Sequence, residues 1–106
     1  MTELRSTAPP TEISTRFLQE MVDRMATSFY KYGPVADNYP ENHRALDSLL
    51  MRLERYETTG NTEWLIDVAN FAMIEFMHPA HRQAHYRATS AEESPGVQEV
   101  EWEEKS

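Results

Sequence analysis

The fold that the sequence predicts is decided by residues 62–77, which read TEWLIDVANFAMIEFM. This segment contains no Gly or Pro and is mostly apolar, so it predicts a helix. On a helical wheel at about 100° per residue, Glu63 and Asn70 lie within about 60° of Asp67. These three residues form a narrow polar stripe on a helix that is otherwise almost entirely apolar, and such a helix is usually buried. Because a buried carboxylate is costly unless it is paired, protonated or bound to a metal, the stripe predicts a partner for Asp67.

A second predicted helix precedes this segment. Asn38 and Glu41 indicate its start, and Gly60 indicates its end. Five residues mark its apolar face: Leu46, Leu49, Leu50, Leu53 and Tyr56. Glu57 falls inside this face, at about 20° from Leu46 on the wheel. An acidic residue in an apolar face is the second anomaly of the sequence.

The turn at residues 60–61 is short, so the two helices are predicted to be antiparallel neighbours. Glu54 then lies level with Asp67, and Glu57 lies beside Glu63. Converging carboxylates repel one another, and a hard cation such as Mg²⁺ compensates through oxygen ligands. The alternative is that Glu54 and Glu57 face solvent beside arginines, while Glu63 is stabilised by the helix dipole. Asn70 either orients a ligand or is a satisfied buried amide.

An N-terminal helix is also predicted, with Thr11 as its N-cap and an end at Gly33 and Pro34. Its apolar residues recur at intervals of three and four: Ile13, Phe17, Leu18, Met21, Val22, Met25 and Phe29. This pattern indicates an amphipathic helix of about five turns. The opposite face carries charged residues, and core packing is the role that the pattern favours for this helix.

The segment after Met77 contains three histidines: His78, His81 and His85. Pro79 either breaks the preceding helix or opens a short fourth helix. The spacing of the three histidines permits metal binding, but the favoured interpretation is that they are exposed polar residues near a helix end. A phosphate contact made together with Arg82 or Arg87 is the functional alternative.

Composition and charge bound the remaining possibilities. The 106 residues predict one helical domain at 11–90, with a flexible lead-in at 1–10 and an acidic, disordered tail at 91–106. The tail either keeps the protein soluble or meets a basic partner. The chain has no cysteine and a net charge of −8, and it shows no basic face and no membrane span. We therefore expect a cytoplasmic protein that binds neither nucleic acid nor membrane.

The acidic residues Glu54-x-x-Glu57 and Glu63-x-x-x-Asp67 resemble the motif of the all-α nucleoside triphosphate pyrophosphohydrolases, the MazG-like superfamily. The resemblance covers roughly residues 31–88 and extends to short phage-encoded members. It implies a small all-α bundle of three main helices, completed by a homodimer or homotetramer. It also implies hydrolysis of a nucleoside or deoxynucleoside triphosphate to the monophosphate and pyrophosphate.

In this interpretation the four carboxylates bind Mg²⁺ or Mn²⁺, and Glu57 and Asp67 are the catalytic residues. Six residues are candidates for contacting the nucleotide: Asn70, Lys31, Tyr32, His78, His81 and Arg82. Two alternatives stay open. The bundle binds or sequesters a nucleotide without turnover, or it is an interaction module such as a small inhibitor.

Overall fold

A computed structural model describes residues 7–93 and residue 96, and the regular structure in this part of the chain is helical throughout. A 3₁₀ turn comes first, at Pro10–Glu12. Four helices follow it: α1 (Thr15–Tyr32), α2 (Val35–Asn38), α3 (Ala45–Thr59) and α4 (Glu63–Met77). The prediction of an all-α bundle with three main helices and one short helix is confirmed. The predicted lead-in lies partly outside the described residues, and so does most of the predicted tail.

α1 begins later than predicted, because Ser14 and not Thr11 caps it. The Ser14 hydroxyl accepts a hydrogen bond from the Phe17 N–H at 3.0 Å, which satisfies one of the free donors of the first turn. Thr11 belongs to the 3₁₀ turn, and the extended backbone of Ile13 separates that turn from the helix. The predicted end is confirmed, since the Gly33 N–H bonds to the Phe29 carbonyl at 2.8 Å.

The start of α3 also differs from the prediction. Asn38 ends α2 instead of capping α3, and α3 begins at Ala45. The reason is visible in the Asn38 side chain, whose amide donates to the carbonyls of Tyr32 at 3.3 Å and Pro34 at 3.2 Å. These bonds hold the connector to the end of α1. The predicted end of α3 at Gly60 is confirmed, and this glycine has a φ of +72°.

Asn61 supplies the capping bond of α4, since its side-chain oxygen accepts from the Glu63 N–H at 3.0 Å. After Met77 no helix occurs within the described residues, so of the two alternatives for Pro79 the structure has the break of the preceding helix. Pro79 cannot donate a backbone hydrogen bond. The next donor, the Ala80 N–H, bonds back to the Glu75 carboxylate at 2.8 Å. The single short helix is α2, between α1 and α3.

α4 is the centre of the molecule. α3 packs along it, and α1 makes a smaller contact with it. Within the described residues, four side chains are buried: Ala45 on α3, and Ile66, Asn70 and Ile74 on α4. The prediction that residues 62–77 form the central helix is therefore confirmed. None of the described helices is long and apolar enough to cross a membrane.

Candidate functional site

The polar stripe of α4 faces two arginines. Arg24 on α1 donates from Nη1 to Asp67 Oδ1 at 3.2 Å, and its Nη2 lies 2.8 Å from Glu63 Oε2. On the other side, Arg52 Nε lies 3.6 Å from Asp67 Oδ2. The Asp67 side chain is only 23% exposed, so a partner of opposite charge is physically required. The sequence predicted a partner for Asp67, and the structure supplies guanidinium groups from two different helices.

The structure does not bring Glu54 and Glu57 to this stripe. Both side chains are exposed, and neither has an ion pair with another described residue. Ala45 and Arg52 lie on the packed side of α3. This side is about 90° round the helix from the face that the leucine pattern predicts. Because α3 turns this side toward α4, its two glutamates point away from Asp67. The predicted convergence of four carboxylates is thus reduced to Glu63 and Asp67, joined by Arg24.

A metal centre of the predicted composition is not formed in this arrangement. Within residues 7–93, no group of three or more acidic or histidine side chains is placed to hold a metal ion. The sequence predicted that Mg²⁺ offsets the repulsion between the carboxylates. In the structure Arg24 does so, because its guanidinium lies between Glu63 and Asp67. Two of the four predicted ligands, Glu63 and Asp67, are thus brought to one place, where Arg24 joins them. Binding of Mg²⁺ or Mn²⁺ stays a prediction.

A cavity of about 860 Å³ opens between α1, α3 and α4. This volume is within the range of about 300–1,000 Å³ that is usual for small-molecule sites. The wall combines charged, amide and aromatic side chains from all three helices and the connector. Its charged, amide and aromatic lining residues include Arg24, Lys31, Tyr39, Arg52, Asn70 and Phe71.

One wall of the cavity is aromatic. The ring centroids of Tyr39 and Phe71 are 6.5 Å apart, and those of Tyr39 and His43 are 5.7 Å apart. The Arg52 guanidinium lies 4.8 Å from the centre of the Phe71 ring, which is a cation–π contact. Burial raises the pKa of the Tyr39 phenol, and the positive charge of Arg52 partly opposes that change. The wall thus offers flat apolar faces beside a fixed positive charge.

Asn70 presents a hydrogen-bond acceptor in this region. Its Nδ2 donates to the Met21 carbonyl at 3.2 Å, and a carbonyl can only accept, so the orientation of the amide is fixed. Its Oδ1 is buried and has no hydrogen-bond partner among the described residues; the same holds for Nε of Arg52. Buried polar atoms usually have a partner. The Asn70 acceptor is therefore unusual, whereas Arg52 Nε keeps its ion pair with Asp67 Oδ2 at 3.6 Å.

The structure divides the predicted nucleotide-contacting residues into two groups. Lys31, Tyr32 and Asn70 line the cavity, together with Asp67. The residues after α4 do not belong to its lining: His78, His81 and Arg82. The ring of His81 instead serves the local backbone, since its Nδ1 accepts from the Gln83 N–H at 3.0 Å. The predicted catalytic residue Glu57 is likewise absent from the cavity wall.

Sequence reasoning found Lys31 and Tyr32 at the end of α1 but missed the contribution of the charged face of that helix. Glu20, Asp23 and Arg24 line the cavity, although the sequence analysis treated them as a face without a chemical role. The signal that was present is their spacing, which places all three on one side of a helix. A basic residue on that side is the natural partner for the acidic stripe of α4.

Comparison with known proteins supplies no relative. No protein-family model matches the chain, and neither a curated protein nor a solved structure matches it. The resemblance to the MazG-like superfamily accordingly stays a prediction from the sequence.

Proposed function

We propose that the protein binds a nucleotide in the cavity between α1, α3 and α4. The observation that carries this proposal is the pairing of an aromatic wall with Arg52, which lies over Phe71 on that wall. A nucleobase is a planar ring that stacks on aromatic side chains, and arginine is suited to phosphate because its planar donors match two oxygens. The cavity offers both features within one space.

The balance of charge in the cavity favours some forms of nucleotide over others. Three cationic residues line it: Arg24, Lys31 and Arg52. Three acidic residues also line it: Glu20, Asp23 and Asp67. A free triphosphate would meet repulsion from these acids, whereas bound Mg²⁺ neutralises part of the phosphate charge. We therefore expect Mg²⁺ to strengthen the binding of triphosphates more than the binding of nucleosides.

Hydrolysis to the monophosphate and pyrophosphate is the second function that we propose to test. The observation that favours it is that acidic residues from two helices, Glu20 and Asp23 on α1 and Asp67 on α4, line the same cavity. Acidic residues on facing helices are a known way of building metal sites in bundles. The pairing of Asp67 with arginines in this structure favours binding as the first function.

Binding is tested by calorimetry with each ribonucleotide and deoxyribonucleotide triphosphate, with and without Mg²⁺. The informative variant is Arg52→Gln, which removes the charge beside Phe71 and is expected to weaken binding about tenfold or more. Arg55→Gln is the matched control, because Arg55 is exposed on the same helix and outside the cavity lining. Equal losses in both variants, or no binding of any nucleotide by the parent protein, would contradict the proposal.

Hydrolysis is tested by pyrophosphate release under the same conditions, with Asp67→Asn as the comparison. Release that depends on Mg²⁺ and is lost in Asp67→Asn supports the hydrolase. Tight binding without any release leaves a nucleotide-sequestering protein. If neither binding nor release occurs, the remaining hypothesis is an interaction module.

A further inference from the structure

α3 carries an apolar strip that the other described residues leave exposed at two leucines and half-buried at a third, Leu53. The strip consists of Leu46, Leu50 and Leu53, and Glu57 continues it by one turn. The spacing of four, three and four residues is the spacing with which one helix packs against another. Leu46 is 38% exposed and Leu50 is 61% exposed. The anomaly of Glu57 in an apolar face therefore concerns a surface of the molecule and not the cavity.

No described element of the chain is placed to cover this strip. The packed side of α3, with Ala45 and Arg52, is occupied by α4. Among the described residues, the buried apolar side chains are limited to Ala45, Ile66 and Ile74. A helical domain of this size ordinarily buries a larger core. The strip is thus apolar surface that a partner helix would remove from water.

We propose that a second copy of this chain packs against the strip, with the two α3 helices antiparallel and related by a two-fold axis. In a two-fold contact the same surface is used twice. The leucines of one copy therefore meet the leucines of the other, with no need for any second surface.

The charges at the ends of the strip fit this arrangement. Antiparallel pairing of Leu50 with Leu53 of the second copy places Glu57 beside Leu46 of that copy, at the start of its α3. The N-terminal turn of a helix attracts negative charge, and Arg44 lies immediately before that turn. Glu57 is exposed and has no ion pair among the described residues. Arg44 is also accessible, since its contact with Asp47 is on the surface. A parallel arrangement would instead place the two Glu57 carboxylates together.

The area available determines how tight the dimer is. α3 has 15 residues, which makes it about 22 Å long at 1.5 Å per residue. One helix of this length buries less than the approximately 800 Å² per partner of a standard stable interface. We therefore expect a dimer whose dissociation constant lies in the micromolar range, and a monomer–dimer equilibrium that is visible on dilution.

Sedimentation velocity tests the proposal on the full chain, over concentrations from about 1 to 500 µM, which span a micromolar dissociation constant. Leu50→Lys is expected to raise the dissociation constant at least about tenfold, because it places a charge in the middle of the contact. Met51→Lys is the matched control. Met51 is 54% exposed, close to the value for Leu50, but it lies about 100° further round the helix.

A charge exchange tests the register independently. Glu57→Arg is expected to weaken the dimer, because it places two positive charges together at each end. The double variant Glu57→Arg with Arg44→Glu is expected to restore the dimer. Circular dichroism of each variant shows whether the helices are retained. A parent chain that is monomeric at every concentration overturns the proposal. So does a Met51→Lys variant that weakens the dimer as much as Leu50→Lys, or a double variant that gives no rescue.

Discussion

Arg24 on α1 and Asp67 on α4 lie 43 residues apart in the sequence, and a hydrogen bond of 3.2 Å joins their side chains. The same guanidinium reaches Glu63 at 2.8 Å. Because α1 makes only a small contact with α4, this bridge is one of the main links between the N-terminal helix and the rest of the molecule. It also lies in the cavity wall, so it connects the stability of the fold with the candidate site.

Replacing Arg24 by Ala is expected to lower the free energy of unfolding by about 1–2 kcal/mol, between the values for exposed and buried ion pairs. The change leaves Glu63 and Asp67 without their shared cation. Urea denaturation measures the loss, and Arg16→Ala, at an exposed position on the same helix, is the control. If added Mg²⁺ restores the stability of Arg24→Ala but has no effect on the parent protein, the two carboxylates accept a metal once the guanidinium is removed. An equal loss in both variants would contradict a specific role for Arg24.

Replacing Asn70 by Ala is expected to cost about 1–3 kcal/mol of folding free energy, because the Met21 carbonyl loses its donor at a part-buried position. Asn70 is 5% exposed, so its removal also leaves a void. Thermal and chemical denaturation give the measurement. Ala72→Ser, at an exposed position of the same helix, is expected to change stability by less than about 0.5 kcal/mol. A neutral Asn70→Ala variant would show that its bond to Met21 contributes little.

Replacing Gly60 by Ala is expected to destabilise the fold by about 1 kcal/mol, because residues other than glycine are strained at positive φ. No described atom outside residues 59–61 lies within 4 Å of the position that the new Cβ would take, so the cost is attributed to backbone strain. Gly60→Asn is the informative comparison, since asparagine tolerates this conformation better. Equal stabilities of the Ala and Asn variants would exclude backbone strain as the cause.

The pair of Arg87 and Glu93 gives a prediction for acid titration. The Arg87 guanidinium is the main cause that lowers the pKa of the Glu93 carboxyl from 4.5 to about 2, and the Ser90 backbone N–H adds to it. Because the pKa is lower in the folded state than in the unfolded state, ionised Glu93 stabilises the fold at pH values above 4.5. This contribution is lost as the pH falls from 4.5 through about 2. NMR titration of the Glu93 carboxyl checks the value. Arg87→Gln is expected to return the titration toward the ordinary range, and an unchanged titration would contradict the assignment.

The sequence was sufficient to predict the helical class, the central position of α4 and the helix ends at Gly33 and Gly60. These features depend on nearby residues only. The apolar content of one segment and the position of a glycine can be read without knowing which distant residues will be in contact. The predicted start of α3 was wrong because the Asn38 side chain bonds back to the residues just before it. Asn38 has the side chain of a good helix cap, yet it bonds to carbonyls at the end of α1.

The candidate site was only partly predictable. Asp67 and Asn70 were identified correctly as polar residues on a buried helix, and Lys31 and Tyr32 do line the cavity. The structure pairs Asp67 with Arg24 and Arg52 instead of the predicted glutamates, because the rotation of α3 about its axis depends on packing. Leu46 and Leu50 predicted one packed face of α3, whereas α4 packs on the side that carries Ala45 and Arg52. A wheel drawn from one helix cannot reveal which part of a wide apolar face a neighbour will use.

The central position of α4 also sets an order for biosynthesis. α1 leaves the ribosome first, but the helix on which it packs is the last of the four to be made. Until residues 63–77 emerge, the apolar side of α1 has no surface of its own chain to cover it, and Arg24 has neither of its carboxylates. α3 and α4, in contrast, are adjacent in the sequence and can pair as soon as both are complete. The N-terminal helix therefore gains its packing surface on α4 only after residues 63–77 have emerged, and the cavity cannot be complete before then.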